Sequence, residues 1–436
     1  MQDIYNVQCS NPIQQWLAYA PQVLELKPGK RWHIFLSYRS VNPDWAFQLY
    51  DALTRIGFSV FFDKFQIVAG TSLTSDLSLA ISESESGVIL WSNESRRSKW
   101  CKYEYESMHQ MQIEDSNFHF VVIKMDFQPL PTYLKTLQYI DFSQSPEGPH
   151  GVGLLQIMYG LLNKPLSEEA VRFAHKIDME TTIELAKIDG ARIRGDAASI
   201  ILLGSSNTLA WLTSPLLFCQ TAEALIALNE PKIALDVLAT TEKLFLKSVR
   251  PKQLKARALS LCGRPIEAQA VVAELQAAGH RAGHRDPETL KLFAGTWTDL
   301  YKTSKARKHL EASRNHYAEV FEIIPTDYYT AIKLAATSLA LGELDNSDKY
   351  VCQVEAIVGN QAVHSDYWKT ATVAGIQLIR KNFPRAAQLY RTAIITAPEE
   401  KGSHIETLSL ARFIMDHIEI SPEEWLEIEN AFISSK

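Results

Sequence analysis

The stretch WHIFLSYRSVNPDWAFQLYDALTRIGFSVFF (residues 32–62) decides the fold of the first third of this chain. Two short runs rich in aromatic and β-branched residues, WHIFLS (32–37) and GFSVFF (57–62), flank the segment PDWAFQLYDALTRI (43–56). In that segment the apolar residues recur at intervals of three and four, which is the period of an amphipathic helix, whereas the short apolar runs are typical of buried strands. The stretch therefore predicts a strand, a helix and a second strand.

The same alternation continues to about residue 142. Further strands are predicted at SGVILWS (86–92), FHFVVIKM (118–125) and LQYIDF (137–142), and helices at SLTSDLSLAISES (72–84) and SKWCKYEYESMHQM (98–111). Strands that alternate with helices form right-handed βαβ units and a parallel sheet. We expect an α/β fold with a five-stranded parallel sheet, and a ligand site beyond the carboxyl ends of its strands.

After about residue 166 the sequence predicts only helices. The segments PKIALDVL and RPIEAQAVV place Pro231 and Pro265 34 residues apart, which is the tetratricopeptide period. Positions equivalent to Val237 follow at steps of 34, 46, 33 and 40 residues, namely Val271, Tyr317, Tyr350 and Tyr390. The clearest unit is residues 366–398. We expect an all-α tetratricopeptide-like solenoid, with an irregular helical bundle as the alternative because the middle units are degenerate.

Composition limits the class of protein. The chain has 436 residues, 46% of them hydrophobic and 22% charged, so it suits two or three globular domains. A net charge of −6 argues against nucleic acid as an obligate partner. The five cysteines are scattered without a CxxC pair, and no secretory signal is visible, so a reducing cytoplasm is expected. The uncharged stretch 197–222 is long enough for a membrane helix, but Ser, Asn, Gly and Pro interrupt it, which favours a buried helical hairpin.

Several catalytic motifs are missing from the sequence. It contains no GxxxxGK[ST], HExxH, GxGxxG or GxSxG pattern. These patterns mark nucleotide triphosphatases, zinc proteases, dinucleotide oxidoreductases and esterases, so the sequence favours none of those activities.

Four ordered blocks in the first half resemble a TIR domain: IFLSYRS, GFSVFFDKFQIVAG, AISESESGVILWSNES and SKWCKYE. The resemblance covers about residues 31–145 and implies a flavodoxin-like TIR fold. It divides the chain into four parts: an N-terminal extension (1–30), the TIR domain (31–145), a helical connector (146–217) and the repeat domain (218–436). The extension is expected to pack against one of the domains, and residues 167–217 could form either a further repeat pair or a true connector.

The catalytic candidate lies in SKWCKYE. Trp100 and Glu104 are four residues apart, so on a helix they project from the same face. From this spacing alone Glu104 could equally be a solvent-exposed residue beside the apolar face of the helix. In TIR enzymes that cleave NAD, however, the Glu of a WxxxE pattern is the catalytic residue, and the resemblance gives this role to Glu104. Cys101 is expected to be a buried residue that packs in the core, and not a nucleophile.

The resemblance also implies the residues that bind the substrate. A strand that ends in Ser37, Tyr38 and Arg39 presents a hydroxyl, a phenol and a cation where a phosphate-bearing ligand would lie. The loop 63–73 looks like the family's mobile loop beside the site. The full set assigned to substrate binding is Ser37, Tyr38, Arg39, Phe62, Asp63, Gly70 and Trp100. Structural roles remain open for these residues: Arg39 as a surface or ion-pair residue, Asp63 as a residue that caps or braces the loop, and Trp100 as a core or interface aromatic.

The implied function is cleavage of NAD+ at the nicotinamide–ribose bond, with NAD+ as the substrate and no cofactor or metal. The order of domains resembles bacterial immune effectors, in which a helical sensor restrains the TIR enzyme until TIR domains self-associate. The blocks DPETLKLFAGTWTDLY (286–301) and FEIIPTDYYTAIKLAATSLALG (321–342) also resemble a helical TRAF-binding region. Expected partners are NAD+, other TIR domains and a protein or peptide trigger, but neither nucleic acid nor a membrane. A non-catalytic TIR adaptor is the alternative, and a nucleic-acid hydrolase or cyclic-nucleotide synthetase is a weaker one.

Overall fold

The protein is described by a computed structural model. The described residues are 12–38, 43–62, 73–92, 95, 98–125, 130–131, 134, 137–143, 149, 151–206, 208–245, 248–280, 286–359 and 366–433. They form an N-terminal α/β region and a C-terminal all-helical region, as the sequence predicts.

The α/β region contains a five-stranded parallel sheet. Its strands are β1 (Trp32–Ser37), β2 (Val60–Phe61), β3 (Ser84–Trp91), β4 (His119–Lys124) and β5 (Tyr139–Asp141). They are ordered β2-β1-β3-β4-β5, and every neighbouring pair is parallel. This is the flavodoxin-like order, whose direction reverses between β1 and β3 and so leaves a crevice at their carboxyl ends. The predicted fold class is confirmed.

Helices cover both faces of the sheet. They are α1 (Pro12–Leu17), α2 (Pro43–Arg55), α3 (Leu73–Ser82), α4 (Lys99–Glu114) and α5 (Gly151–Gly160). Successive strand residues point to opposite faces. Ile34 and Leu36 accordingly pack in one core with residues of α2 and α5, whereas Phe35 packs in the other with residues of α3 and α4. Because both faces are covered, the strands are almost continuously apolar.

A single long helix, α6 (Glu168–Ile193), joins the two regions. At 1.5 Å per residue its 26 residues span about 39 Å. Phe173 and Ile177 near its start belong to the core beneath the sheet. Ile188 and Ala191 near its end belong to the first core of the helical region. The early part of the segment 167–217 is therefore a continuous helical link between the regions.

The N-terminal segment packs against this junction. Trp16 of α1 is 2% exposed and meets the ring of Phe173 edge-on, with ring centroids 4.9 Å apart. Tyr19 stacks on the same ring at 4.1 Å, and its carbonyl accepts a hydrogen bond from the Tyr159 hydroxyl. The described part of the extension thus holds α6 to the α/β region.

The helical region continues as pairs of adjacent helices. Its helices are α7 (Ala197–Leu203), α8 (Leu209–Thr213), α9 (Leu216–Ala227), α10 (Pro231–Leu244), α11 (Val249–Leu261), α12 (Pro265–His280), α13 (Pro287–Ser304), α14 (Arg307–Ile323), α15 (Tyr328–Ala340), α16 (Leu344–Val358), α17 (Tyr367–Ile379), α18 (Phe383–Thr396), α19 (Lys401–Met415) and α20 (Pro422–Asn430). The five positions that define the repeat register lie on α10, α12, α14, α16 and α18, each the second helix of its pair.

The uncharged stretch 197–222 differs from the expected hairpin. It forms α7, α8 and the first part of α9, because Gly204 ends α7 and Pro215 sets the start of α9. Among the residues that the structure describes, no helix is long and apolar enough to cross a membrane.

The end of the helical region returns to its beginning. Arg257 of α11 donates two hydrogen bonds to Glu406 of α19, at 2.9 and 3.0 Å. Gly402 lies so close to α9 that a Cβ there would be 1.9 Å from the carbonyl oxygen of Ile226. Glu400 also forms an ion pair with Arg192 of α6. We call this set of contacts the repeat closure.

Candidate active site

The candidate site is a buried carboxylate at the carboxyl edge of the sheet. Ser37 is the last residue of β1, and its hydroxyl donates a hydrogen bond of 2.6 Å to Oε2 of Glu104 on α4. Ser37 is 2% exposed and Glu104 9% exposed. The contact is at the short end of the range for O–H···O hydrogen bonds, so the hydroxyl fixes the direction of the carboxyl group.

Local sequence explains how α4 brings Glu104 to this edge. Ser98 precedes the helix in an extended conformation, and its side chain accepts a hydrogen bond of 3.3 Å from the backbone N–H of Cys101. This N-cap fixes where the helix begins. Cys101 and Met108 are 2% and 0% exposed, so one face of α4 packs on the sheet. Glu104 lies between them in sequence and is drawn inward with that face.

The pair lies at the crevice that the strand order creates. Within the sheet Ser37 is the register partner of Ile89 in β3, the strand on the far side of the reversal point. At the same edge, Lys124 of β4 and Asp141 of β5 form an ion pair of 2.8 Å. Partial burial acts to raise the pKa of Asp141. The hydrogen bonds from Lys124 and Ser143 outweigh this effect and hold the pKa below its usual value. Charged and polar groups therefore gather where α/β proteins bind ligands.

A column of aromatic rings stands beside Ser37. Tyr38 stacks on Phe62 with ring centroids 4.7 Å apart, and Phe62 stacks on Tyr50 of α2 at 5.3 Å. Phe62 is only 1% exposed, so in this structure it supports Tyr38 from beneath. The partly buried Tyr38 forms the upper face of the column. Tyr50 was not assigned to the site from the sequence. Its position on the inner face of the predicted helix could have indicated that it packs beside the end of the first strand.

The other acidic residues of α4 face away from this edge. Glu106 is 59% exposed and lies 3.7 Å from Lys102. It borders a shallow groove of about 330 Å³ between α3 and α4, which Ser78 and Tyr103 also line. Glu104 does not line this groove. The helix thus turns Glu104 inward and Glu106 outward.

Several predicted site residues lie outside the described residues. These are Arg39, Asp63 and Gly70, together with the side chain of Trp100, whose backbone lies on α4. Their assignment to substrate binding stays a prediction. Within the part of the chain that the structure describes, no group of three or more His, Cys, Asp or Glu side chains is placed to hold a metal ion.

The fold and this edge define a flavodoxin-like domain joined to a helical repeat array. Residues 34–155 match the family model of the TIR domain, and residues 218–339 match the model described as Tetratricopeptide Repeats-Sensor. The chain therefore carries a TIR domain followed by sensor repeats, as the sequence predicts.

The TIR region is similar to a bacterial enzyme. It is 28% identical over 98 residues to the 2' cyclic ADP-D-ribose synthase BtTIR of Bacteroides thetaiotaomicron. The match covers 22% of this chain and about a third (33%) of the length of that relative. A thermophilic TPR protein of Thermus thermophilus also matches, with 16% identity and a TM-score of 0.36, over 45% of this chain and 98% of that structure. A TM-score of this size adds nothing to the family matches.

Proposed function

We propose that the protein is a TIR-domain NAD+ glycohydrolase, which cleaves the bond between nicotinamide and ribose under the control of its helical repeats. The observation that carries the proposal is the buried carboxylate of Glu104, which the Ser37 hydroxyl holds at the carboxyl edge of the sheet. The likeness to a TIR-containing cyclic ADP-D-ribose synthase supports the same substrate class.

The chemistry requires little more than a well-placed negative charge. Nicotinamide leaves NAD+ as a neutral pyridine and takes the bonding electron pair, so positive charge develops on the ribose, as in glycoside hydrolysis. A carboxylate fixed beside the ribose stabilises that charge in the transition state. The leaving group needs no proton, so one carboxylate serves where sugar hydrolases generally use two.

The electrophilic ribose carbon is then captured by an oxygen nucleophile. Water gives ADP-ribose, nicotinamide and a proton, whereas a hydroxyl group of the same ADP-ribose gives a cyclised product and the same proton. Tyr38, stacked on Phe62 at the rim, offers an aromatic face and a phenol for the nucleotide. The hydroxyl of Ser37 is committed to Glu104, so we assign it to orienting the carboxylate.

Regulation follows from the order of the domains. The repeats are joined to the TIR domain through α6, and we propose that they sense a protein or peptide trigger and permit TIR domains to associate. A role in bacterial immune defence against phage is part of the same proposal.

The test compares two carboxylates on one helix. NAD+ loss and its products are followed by chromatography for wild type, Glu104→Gln and Glu106→Gln, at high protein concentration in crowded buffer. We expect wild type and Glu106→Gln to consume NAD+ alike, because Glu106 is exposed, and Glu104→Gln to be slower by at least about 100-fold. Equal consumption by Glu104→Gln would remove Glu104 from catalysis. If all three proteins are inert in crowded, concentrated solution, the non-catalytic TIR adaptor becomes the better description.

A further inference from the structure

The helix α6 has two apolar faces, and only one of them is buried. Four large apolar side chains lie on the opposite side, where Val171, Met179, Ile183 and Ile193 are 50%, 52%, 51% and 70% exposed. At 100° per residue these four fall within an arc of about 120°. Of the sixteen exposed large apolar side chains among the described residues, four therefore form a stripe on one helix.

We propose that this stripe is a self-association surface, on which α6 pairs with α6 of a second copy of the chain in antiparallel orientation. Ala186 lies on the same arc as the four apolar residues. A small residue at this position lets a second helix come close. Exposed apolar side chains rimmed by polar residues mark an interaction site in a soluble protein. On this arc the polar residues are Arg172, His175, Thr182 and Asp189, all of them exposed.

The charges on α6 select both the partner and the orientation. Glu168 and Glu169 lie at the start of the helix, and the exposed Arg194 lies directly after its end. Glu168 is 92% exposed, and its contact with Arg172 of the same chain is long, at 3.9 Å. An antiparallel pair places Glu168 of one copy opposite Arg194 of the other, at both ends of the contact. A parallel pair would instead place like charges together, which is unfavourable.

The same register matches the apolar residues in the middle. With the two-fold axis near Thr181, Met179 of one copy meets Ile183 of the other, so that one patch contacts itself, as an isologous dimer requires. Lys176 and Lys187 also approach each other in this register. Their charges are offset within each chain by Glu180 at 3.9 Å and Glu184 at 2.7 Å.

The pairing of the two α6 helices determines where the TIR domains and the repeat regions of the two copies lie. The start of α6 is built into the TIR core and its end into the repeat core. An antiparallel pair therefore holds two TIR domains at opposite ends of a contact about 39 Å long. This surface is separate from any contact between TIR domains and does not depend on catalysis.

The first test uses matched charge insertions. The mass in solution is measured by sedimentation at high micromolar concentration for wild type, Ile183→Glu and Ile266→Glu. Ile266 on α12 is 73% exposed and serves as the control. We expect dimers for wild type and Ile266→Glu, and a monomer for Ile183→Glu with unchanged thermal unfolding. A monomeric wild type, or the same mass for both variants, overturns the proposal.

A second test reads the orientation directly. In a background with Cys9→Ser, Cys262→Ser and Cys352→Ser, only the buried Cys101 and Cys219 remain. One further cysteine is then introduced, either as Thr182→Cys, near the two-fold axis, or as Val171→Cys, far from it. Antiparallel pairing predicts disulfide-linked dimers for Thr182→Cys alone. Linkage of both variants overturns the orientation, and linkage of neither overturns the surface. Since neither test measures NAD+ cleavage, a failure of the proposed activity would leave both results interpretable.

Discussion

Two carboxylates that are largely shielded from solvent, one in each region of the molecule, are held in different ways. Glu406 of the repeat closure receives two hydrogen bonds from the guanidinium of Arg257, and its negative charge raises the pKa of Arg257 above the ordinary range. Glu104 of the TIR domain accepts a hydrogen bond from the neutral hydroxyl of Ser37. A bidentate ion pair uses up the negative charge to hold two helices together. The hydroxyl of Ser37 orients the carboxylate of Glu104 and brings no positive charge of its own to it.

The largest change in stability is expected on breaking the closure. Glu406→Gln leaves the guanidinium of Arg257, only 31% exposed, without its carboxylate. We expect the free energy of unfolding to fall by about 2–4 kcal/mol in urea titration, since a charge shielded from water without its partner is costly. Glu427→Gln is the control, because Glu427 lies 3.9 Å from Arg391 on the surface, and it should cost less than about 0.5 kcal/mol. Equal losses would show that the closure is not a stabilising contact.

A second comparison concerns the stability cost of adding a methyl group at two closely packed glycines, Gly402 and Gly87. Gly402→Ala drives a methyl group into the backbone of α9 and should cost about 1–3 kcal/mol in the helical region. In the sheet, a Cβ at Gly87 would first meet the sulfur of Met108 at 2.4 Å. A thioether side chain adapts, so Gly87→Ala should cost less than about 1 kcal/mol. Thermal unfolding of both variants measures the difference, and a larger cost for Gly87→Ala would contradict it.

The orienting role of Ser37 can be separated from its contribution to the core. Ser37→Ala removes the hydrogen bond to Glu104, and we expect kcat for NAD+ cleavage to fall about tenfold, or about 1.4 kcal/mol in the barrier. Ser86→Ala is matched to it, since Ser86 is equally buried in the sheet and donates to the carbonyl of His33 at 2.8 Å. Both variants should lose about 1 kcal/mol of stability, and only Ser37→Ala should lose activity. If Ser37→Ala keeps full activity, the hydroxyl does not orient the carboxylate.

The smallest effect concerns pH. Burial lowers the pKa of His404 on α19 from its ordinary value of 6.5, although its hydrogen bond to the carbonyl of Ala397 opposes this shift. Above pH 6.5 the imidazole is neutral in both folded and unfolded chains. As pH falls below that value, the unfolded state takes up the proton first, so stability declines. His404→Gln should flatten the stability profile in that window, and an unchanged slope would exclude His404 as its cause.

The sequence predicted local elements well and long-range contacts poorly. The first strand, WHIFLS, is found at Trp32–Ser37 as expected, because its apolar residues are buried on both faces of the sheet. The second strand was expected at 57–62 but covers only Val60–Phe61, since just two of its residues pair with β1. Pattern fixes the existence of an element, whereas hydrogen bonding to neighbours sets its ends.

The candidate site also depends on a long-range contact that the sequence pattern does not predict. The sequence could place Ser37 at a strand end and Glu104 on an inward helix face, but their contact crosses 67 residues and depends on the strand order. The repeat closure joins residues 149 apart and has no local pattern at all. Likewise, the segment from residue 167 onward gave no sign that its first helix would run unbroken from one core into the next.

The repeat closure also has a consequence for the order in which the chain folds. Contacts between neighbouring repeats can form as each helix pair is synthesised, whereas contacts between distant residues form slowly because a long loop must close first. During translation the TIR sheet can be complete well before α19 emerges, and N-terminal domains fold first. The link between Glu400 and α6 is then among the last contacts to form. Each newly made chain therefore passes through a stage in which the TIR domain is folded and is not yet tied to the end of the helical region.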